Sequence, residues 1–236
     1  MTEHLMENED PAWLQFRAMF ADVYDASNYV SPMQSALMRA SHRGVEKAFG
    51  KNQRFPKVLE IGAGTGEHLA YVRHDFDQYV VTDLDEKTLE IASGKIGAKF
   101  GDRVSFESQK GEELSYANDS FDRLIAAHVL EHIYKPHLAI KEWRRVLKNG
   151  GILSILIPTD PGVAWRLGRH LGPRKHALAK GIAYDYVMAR EHVNSCNNLI
   201  ALLRHYFYIR TESWWPFRIP SIDLNLFFIC HAVIKK

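Results

Sequence analysis

A glycine-rich turn between a short apolar run and a helical run is the sharpest chemical signal in the sequence. Residues 58–67 read VLEIGAGTGE and place Gly62, Gly64 and Gly66 close together. Glycine at such a turn lets a ligand approach the backbone and the amino end of the following helix, which a side chain would block. The turn therefore predicts a binding site for a cofactor that contains adenosine. A tight strand-to-helix turn without a ligand is the alternative interpretation of the glycines alone.

An acidic residue at the end of the next apolar run supports the ligand interpretation. Asp83 follows the run at 79–82 and lies 21 residues after Gly62. At that distance a carboxylate can accept hydrogen bonds from both ribose hydroxyls. Asp85 is better placed to cap the next helix, which leaves Asp83 for the ligand. The dinucleotide pattern Gly-x-Gly-x-x-Gly would place its third glycine at position 67, but here the third glycine is Gly66 and position 67 is Glu67. An anionic side chain at that position argues against a bound pyrophosphate.

A histidine follows the fourth apolar run of the same region. His128 begins the segment 128–132 (HVLEH) at the point where that run ends. Imidazole titrates near neutral pH and can take a proton from an acceptor hydroxyl or orient the acceptor. Packing beside the ligand without proton transfer is the alternative interpretation.

The same segment fits a metal-binding pattern. His-x-x-Glu-His is found in some zinc peptidases, where it lies on a helix together with a later acidic ligand. A milder hypothesis is a divalent-cation site formed by His128, Glu131 and His132 on one helix face. We expect no metal, because ordinary hydrogen bonds at a helix start account for Glu131 and His132.

The elements that position these residues alternate between strands and helices. Short apolar runs predict five strands, at 57–61, 79–82, 104–108, 122–126 and 151–157. Helical patterns lie between them, at 67–76, 86–99 and 136–147. This alternation is typical of βαβ units with a parallel sheet. A helix at 195–205 and strands at 207–213 and 224–234 are expected to complete the domain.

Two segments stand outside this alternation. Residues 1–55 have helical periodicity and predict an amino-terminal helical cap on a domain at 56–236. Residues 158–194 interrupt the pattern and predict an insertion that builds the substrate site. The expected acceptor contacts are Asp160, Tyr184, Arg190 and His192 of the insertion and Tyr29 of the cap. His192 is also a candidate for proton transfer.

Composition describes a folded protein. With 236 residues, 46% of them hydrophobic and 25% charged, the chain is predicted to form one large domain, and disorder is excluded. No apolar stretch approaches the roughly 18 residues of a membrane span. The acidic start lacks the apolar core of a secretory signal, so we expect a cytoplasmic protein. Cys196 and Cys230 have no CxxC spacing and are expected to be buried thiols.

The net charge of +2 is unevenly distributed along the chain. Residues 161–236 hold eleven Lys and Arg against four Asp and Glu, whereas acidic residues outnumber basic ones by four in residues 56–160. The basic segment suits an acceptor with phosphate or carboxylate groups, and a solvated helical surface is the alternative. No nucleic-acid module accompanies it, so we expect no nucleic-acid partner.

The sequence resembles the class I S-adenosylmethionine-dependent methyltransferases, in particular the branch that includes ubiquinone and menaquinone biosynthesis enzymes. Residues 58–66 match the family pattern Val-Leu-Glu/Asp-x-Gly-x-Gly-x-Gly, and Asp83 matches its acid after the second strand. Residues 118–122 (NDSFD) approximate Asp-x-Ser-Phe-Asp. The likeness covers residues 56–160.

Two later motifs extend the likeness. Residues 129–133 (VLEHI) resemble Val-Leu-x-His-Ile, and residues 143–151 (WRRVLKNGG) resemble Arg-Val-Leu-Lys-Pro-Gly-Gly with Asn149 where proline is usual. The resemblance implies a Rossmann-like α/β fold. Its seven-stranded mixed sheet would have the order 3-2-1-4-5-7-6, with strand 7 antiparallel and helices on both faces.

The resemblance also implies a cofactor and a reaction. S-adenosylmethionine would donate a methyl group to a small-molecule acceptor, with Glu60 and the glycine loop at the methionine moiety and Asp83 at the ribose. Lys110 stands where family members place an Asp that accepts from adenine, and lysine cannot accept a hydrogen bond. The cofactor-binding residues implied are Glu60, Gly62, Ala63, Gly64, Gly66, Asp83, Leu84, Gly111, Glu112 and His128.

Two rival functions remain at this stage. A nicotinamide-dependent oxidoreductase would bind a dinucleotide and transfer hydride. A catalytically silent protein would bind S-adenosylmethionine and methylate nothing. The sequence also leaves open whether oxygen, nitrogen or carbon is methylated and whether the chain forms a homodimer.

Overall fold

A seven-stranded sheet with the order β3-β2-β1-β4-β5-β7-β6 organises the chain. The computed structural model describes residues 11–14, 16 and 32–236. The strands are β1 Lys57–Ile61, β2 Gln78–Asp83, β3 Val104–Ser108, β4 Phe121–Ala127, β5 Leu147–Pro158, β6 Arg210–Trp215 and β7 Phe227–Val233. Strands β1 to β5 are parallel, and β7 runs antiparallel to both of its neighbours. The predicted strand order and the antiparallel seventh strand are confirmed.

Helices cover both faces of the sheet, as predicted. They are α1 Pro32–Glu46, α2 Glu86–Ala92, α3 Pro136–Val146, α4 Val163–Leu171, α5 Pro173–Ala179, α6 Tyr184–Glu191 and α7 Cys196–Tyr206. On one face Leu59, Leu124 and Leu153 pack in a core that includes Trp143 of α3. On the other, Val58 and Ile125 pack in a core that includes Val45 of α1. Strands covered by helices on both faces need a nearly continuous apolar sequence, and for this reason the strands could be predicted from their apolar runs.

One predicted helix is wrong in part, and another is helical throughout but irregular. The pattern at 67–76 forms a 3-10 turn, Glu67–Tyr71, because the backbone of Asp75 pairs with Gln53 and Phe55 and draws the chain out of helical geometry. The segment 86–99 begins as α2 but changes at Ser93–Gly97 into a π-helical turn. Its two glycines weaken a regular helix, which explains the change.

The insertion and the last strands also differ from expectation. Residues 158–194, predicted as an insertion outside the alternation of strands and helices, contain α4, α5 and α6. The predicted strand start at Phe207 is wrong, because Phe207 ends α7 and is buried in the core. Asn225 fixes the turn before β7 by donating to the carbonyls of Ile219 and Ser221. The cap at 1–55 and the domain at 56–236 stay predictions.

A buried ion pair joins α1 to the sheet. Glu46 accepts hydrogen bonds from both terminal nitrogens of Arg123 of β4, at 2.7 and 3.0 Å. His68 lies 2.9 Å from the same carboxylate, and Arg123 Nε donates to Ser154 at 3.2 Å. Burial acts to raise the pKa of Glu46, but His68 and Arg123 outweigh it and lower that pKa to about 2. The pair holds α1, and with it Ser41, against the sheet.

Two further expectations concern the rest of the chain. Cys196 and Cys230 are free and buried, as predicted. Among the described residues, no helix has both the length and the apolar character needed to cross a membrane.

Candidate active site

The glycine loop leaves β1 at the carboxyl edge of the sheet in a conformation that only glycine adopts without strain. Gly62, Gly64 and Gly66 have φ angles of 61°, 55° and 77°. A Cβ atom on Gly62 would lie 2.6 Å from Cγ2 of Val129, which follows β4. The backbone therefore passes so close to the end of β4 that any side chain would collide there. Ala63 anchors the loop by donating its N–H to the carbonyl of Thr82 at 2.9 Å.

Asp83, at the end of β2, lies against this loop. Its Oδ2 accepts from the N–H of Gly64 at 2.9 Å, and its Oδ1 accepts from the N–H of Asp85 at 3.1 Å. The carboxylate is thus engaged by the backbone, although the sequence suggested that it would be free. A carboxylate offers about four lone-pair sites, so both oxygens can still accept hydroxyl groups. Asp85 caps α2 through the N–H of Lys87, as predicted.

The ends of β2 and β3 supply apolar and backbone groups next to Asp83. Leu84 follows Asp83 directly and is 71% exposed, an apolar surface at the sheet edge. Gly111 follows β3 and its carbonyl accepts from the indole N–H of Trp143 at 2.8 Å. Lys110 is exposed, and Glu112 is half-buried. These positions suit a planar ring held between an aliphatic side chain and backbone groups.

Glu60 lies in the interior rather than at the loop surface. Its carboxylate is buried and accepts from the hydroxyl of Tyr79 at 2.5 Å. Burial raises the pKa of Glu60. The hydrogen bond that the structure gives Glu60 is therefore to β2, and its contact with a methionine moiety stays a prediction.

His128 follows β4 directly and has a strained backbone. Its φ of 60° lies in the left-handed region, which only a few per cent of non-glycine residues occupy, most often Asn, Asp and His. The backbone N–H of His128 donates to the carbonyl of Leu156 at 3.0 Å, which holds the residue at the sheet edge. Its Nε2 lies 3.3 Å from Oγ of Ser41, and its ring packs edge-on against Phe227. Such strain at a sheet edge is typical of functional positions.

Glu131 is a buried carboxylate beside His128 that the sequence indicated only as a hypothetical metal ligand. Its Oε1 lies 3.7 Å from Nδ1 of His128 and 3.8 Å from Nε2 of His132. Its Oε2 is buried and has no hydrogen-bond partner among the described residues. Burial acts to raise the pKa of Glu131, but the neighbouring histidines outweigh it and lower the pKa. The HVLEH pattern at 128–132 was the sequence feature from which a role for Glu131 beside His128 could have been predicted.

The segment that carries these residues is not a regular helix. Leu130–His132 forms a single 3-10 turn, so a shared helix face, which both metal hypotheses assumed, does not exist there. Within the described part of the chain, no group of three or more His, Cys, Asp or Glu side chains has a geometry that would hold a metal ion.

The insertion brings three predicted acceptor contacts together. Oδ2 of Asp160 accepts from Arg169 at 3.1 Å and lies 2.9 Å from Nδ1 of His192. Tyr184 joins the group through its hydroxyl, 3.2 Å from Nε of Arg169. The ring of His192 meets the ring of His132 edge-on at 5.1 Å, which connects this group to the end of β4. Burial acts to raise the pKa of Asp160, but His192 and Arg169 lower it overall.

Two other predicted contacts are not part of this group. Arg190 packs its guanidinium over Trp13 at 4.0 Å and donates to the hydroxyl of Tyr186 at 3.2 Å. Tyr29 lies outside the described residues. Arg169, which joins Asp160 to Tyr184, was counted in the sequence only as one of several basic residues.

Comparison with known proteins finds that this chain is similar to methyltransferases. Residues 59–155 match a family model described as a methyltransferase domain. A demethylmenaquinone methyltransferase of Clavibacter sepedonicus is 30% identical over 154 residues, 63% of this chain and 60% of that protein. Methyltransferase GfsG of Streptomyces halstedii is 31% identical over 144 residues, 59% of this chain and 52% of the other. The chain thus spans between half and two thirds of the length of these curated relatives.

A solved structure of a ligand complex has the same fold. The N-methyltransferase NodS of Bradyrhizobium japonicum in complex with S-adenosyl-L-homocysteine superposes with a TM-score of 0.57 at 17% identity. The match covers 87% of this chain and 89% of that one. At this identity the likeness concerns the fold, which is the Rossmann-like methyltransferase fold.

Proposed function

Because this chain carries a domain of the class I S-adenosylmethionine-dependent methyltransferases, we propose that it methylates a small-molecule acceptor. The resemblance seen in the sequence motifs is confirmed, and S-adenosylmethionine is the cofactor of this family. The observation that carries the proposal is the contact between Asp83 and the backbone of Gly64, which joins a sugar-binding carboxylate to a glycine loop. The family match favours this function over a nicotinamide-dependent oxidoreductase.

The residues present fit the cofactor. Asp83 retains lone pairs for two ribose hydroxyls, and the exposed side chain of Leu84 offers an apolar surface to an adenine ring. Gly62 has no side chain, so its backbone packs directly against Val129 at the end of β4, next to His128. When bound, S-adenosylmethionine supplies an electrophilic methyl group on a positively charged sulfur.

His128 and Glu131 are suited to remove a proton from the acceptor. The Glu131 carboxylate, whose pKa is lowered despite the burial that acts to raise it, lies 3.7 Å from Nδ1 of His128. Oγ of Ser41 donates to the carbonyl of Met38 and can accept from the N–H at Nε2 of His128, so Nδ1 is the nitrogen that takes the proton of the acceptor. This pair supports an acceptor that loses a proton as the methyl group arrives, as a hydroxyl does.

The group around Asp160 is the proposed acceptor side of the cleft. Asp160 fixes the orientation of His192 through Nδ1, so His192 can offer its other nitrogen to a substrate. Tyr184 is held at the same place by Arg169. Because Arg169 is already paired with Asp160, it offers less support for a phosphate or carboxylate on the acceptor than the sequence suggested.

The proposal is tested by binding and transfer measured separately. Calorimetric titration of the full chain should show binding of S-adenosylhomocysteine and none of NAD. Transfer of a labelled methyl group is then followed across hydroxylated, phosphorylated and carboxylated metabolites, with heat-denatured protein as control. Binding of NAD instead would reject the proposal, and cofactor binding without transfer to any acceptor would favour the silent binding protein. The cytoplasmic location and the homodimer stay predictions.

A further inference from the structure

Helix α4 exposes an apolar stripe. Val163, Leu167 and Leu171 are spaced by four residues, so their side chains follow one another along one face of the helix. All three are more than half exposed. An amphipathic helix in a globular protein normally turns such a face toward the core. Here the apolar face points outward.

Other exposed apolar side chains extend this stripe. The chain between β6 and β7 lies at the start of α4, since Asp223 accepts from the N–H of Val163 through its side chain and from that of Ala164 through its carbonyl. That connection exposes Phe217, Ile219 and Leu224, and α5 exposes Leu178. The exposed fractions in this patch range from 46% to 62%, for Val163, Leu167, Leu171, Leu178, Phe217, Ile219 and Leu224. Single exposed apolar residues are ordinary, but a group of this size marks an interaction surface.

The patch is also basic. Residues 163–180 contain five Lys and Arg and no Asp or Glu. Arg169 and Arg174 form ion pairs with Asp160 and Asp185. The other cations of the segment and of the neighbouring connection are exposed, namely Arg166, Lys175, Lys180 and Arg218. The surface therefore combines apolar side chains with a surplus of positive charge.

The opposite face of α4 packs toward the active site. The indole of Trp165 lies 6.1 Å from the ring of Phe227, and the ring of Phe227 lies 5.5 Å from that of His128. Strand β7 is antiparallel to both β5 and β6, so β6 runs in the same direction as β5 and β4. The connection after β6 therefore begins at the edge of the sheet where β4 and β5 end. The patch thus lies beside the residues proposed to contact the acceptor.

We propose that this patch, formed by the seven apolar residues above and their neighbouring cations, binds the surface of an anionic lipid membrane. Apolar side chains of an interfacial helix enter the boundary between headgroups and acyl chains, and cations beside them pair with lipid phosphates. A second copy of the chain fits the surface less well, because a two-fold contact through this patch would bring like charges together. If the proposed function holds, the acceptor is an amphiphile that the cleft takes from the membrane.

The test measures binding of the full chain to vesicles by co-sedimentation. We expect binding to vesicles of phosphatidylcholine with roughly 30% phosphatidylglycerol, weaker binding to phosphatidylcholine alone, and a loss of binding as salt is raised. Leu167→Gln/Leu171→Gln should lower the partition coefficient about tenfold, since two apolar side chains leave the interface. Ile91→Gln/Leu138→Gln, which changes exposed apolar residues of α2 and α3, is the matched control and should bind as the wild type does.

The charge contribution is tested in the same way. Lys175→Glu/Lys180→Glu should reduce binding to the anionic vesicles, and Lys87→Glu/Lys141→Glu, at exposed positions of α2 and α3, should reduce it much less. S-adenosylhomocysteine titration of each variant verifies the fold and reports separately on the proposed function.

Three results would overturn the membrane proposal. The first is a wild-type chain that does not bind anionic vesicles. The second is equal loss of binding in the patch variants and their controls. The third is a self-association in sedimentation velocity that Leu167→Gln/Leu171→Gln abolishes while no vesicle binding occurs, which would assign the patch to a second copy.

Discussion

The carboxylate of Glu131 lies 3.7 Å from the imidazole of His128 and keeps its second oxygen buried without a partner among the described residues. A buried acceptor without a partner is costly, so such a group in a folded protein calls for an explanation. Beside a histidine with a strained backbone at the sheet edge, a role in proton transfer supplies one.

Replacement of either residue of this pair should slow methyl transfer. His128→Asn keeps a side chain that tolerates a positive φ and should lower kcat by about 10²-fold to 10⁴-fold, the usual contribution of a general base. Glu131→Gln should lower kcat less, because the imidazole keeps its place and loses only a neighbouring carboxylate. Unchanged kcat with unchanged S-adenosylhomocysteine affinity in both variants would show that the pair only packs beside the cofactor.

Asp83 is expected to carry much of the cofactor affinity. Asp83→Ala should weaken S-adenosylhomocysteine binding by about 1 to 3 kcal/mol, because ribose hydroxyls and the N–H of Gly64 lose their acceptor. Asp85→Ala is the control, since it removes the cap of α2 and leaves the loop contact intact. Calorimetry that finds equal affinities for both variants would mean that the ribose is bound elsewhere.

Gly62 should not tolerate even the smallest side chain. Gly62→Ala places a Cβ 2.6 Å from Val129 at a φ of 61° and should lower stability by about 1 to 3 kcal/mol and weaken cofactor binding. Val129→Ala in the same chain should relieve the collision but not the backbone strain, and so restore stability in part. Gly94→Ala, where nothing lies within 4 Å of the new Cβ, should be neutral or stabilising. Urea unfolding compares the four proteins.

The ion pair between Glu46 and Arg123 should be sensitive to the loss of one partner. Glu46→Gln leaves the buried guanidinium without its counter-charge and should lower the free energy of unfolding by about 3 to 5 kcal/mol. Replacing both residues, as Glu46→Leu/Arg123→Met, should cost much less, because no uncompensated charge remains. If the two variants are equally unstable in urea, the pair acts through packing rather than charge.

Buried histidines should make the fold sensitive to mild acid. Burial, with the nearby charge of Arg123, lowers the pKa of both His231 and His74 to about 4. The unfolded chain binds protons at these residues near pH 6.5, so stability falls as pH drops from about 6.5 to about 4, by at most about 1.4 kcal/mol per pH unit for each group. His231→Gln should remove one such contribution from the stability profile, whereas His205→Gln, at an exposed position, should not.

The sequence by itself determined the fold and the cofactor end of the site. The run of β1 is buried on both faces and nearly continuous, and β3 is a partly buried edge strand; both were placed to the residue. Gly62 and Asp83 lie near strand ends, where the local order of strand and turn in the sequence is enough to predict a cofactor-binding position. Errors arose where distant backbone pairing overrode local preference, as at Asp75, which stops the predicted helix at 67–76.

The tertiary structure decided the rest, because these contacts join residues far apart in the chain. No local pattern shows that Glu46 meets Arg123, 77 residues later, or that Ser41 reaches His128. The same holds for Asp160 and His192, which come together through the packing of the insertion. Helical periodicity likewise marks an apolar face on α4 but not whether that face is covered. Whether the face is covered depends on what packs against α4, and the described residues leave that face exposed to solvent.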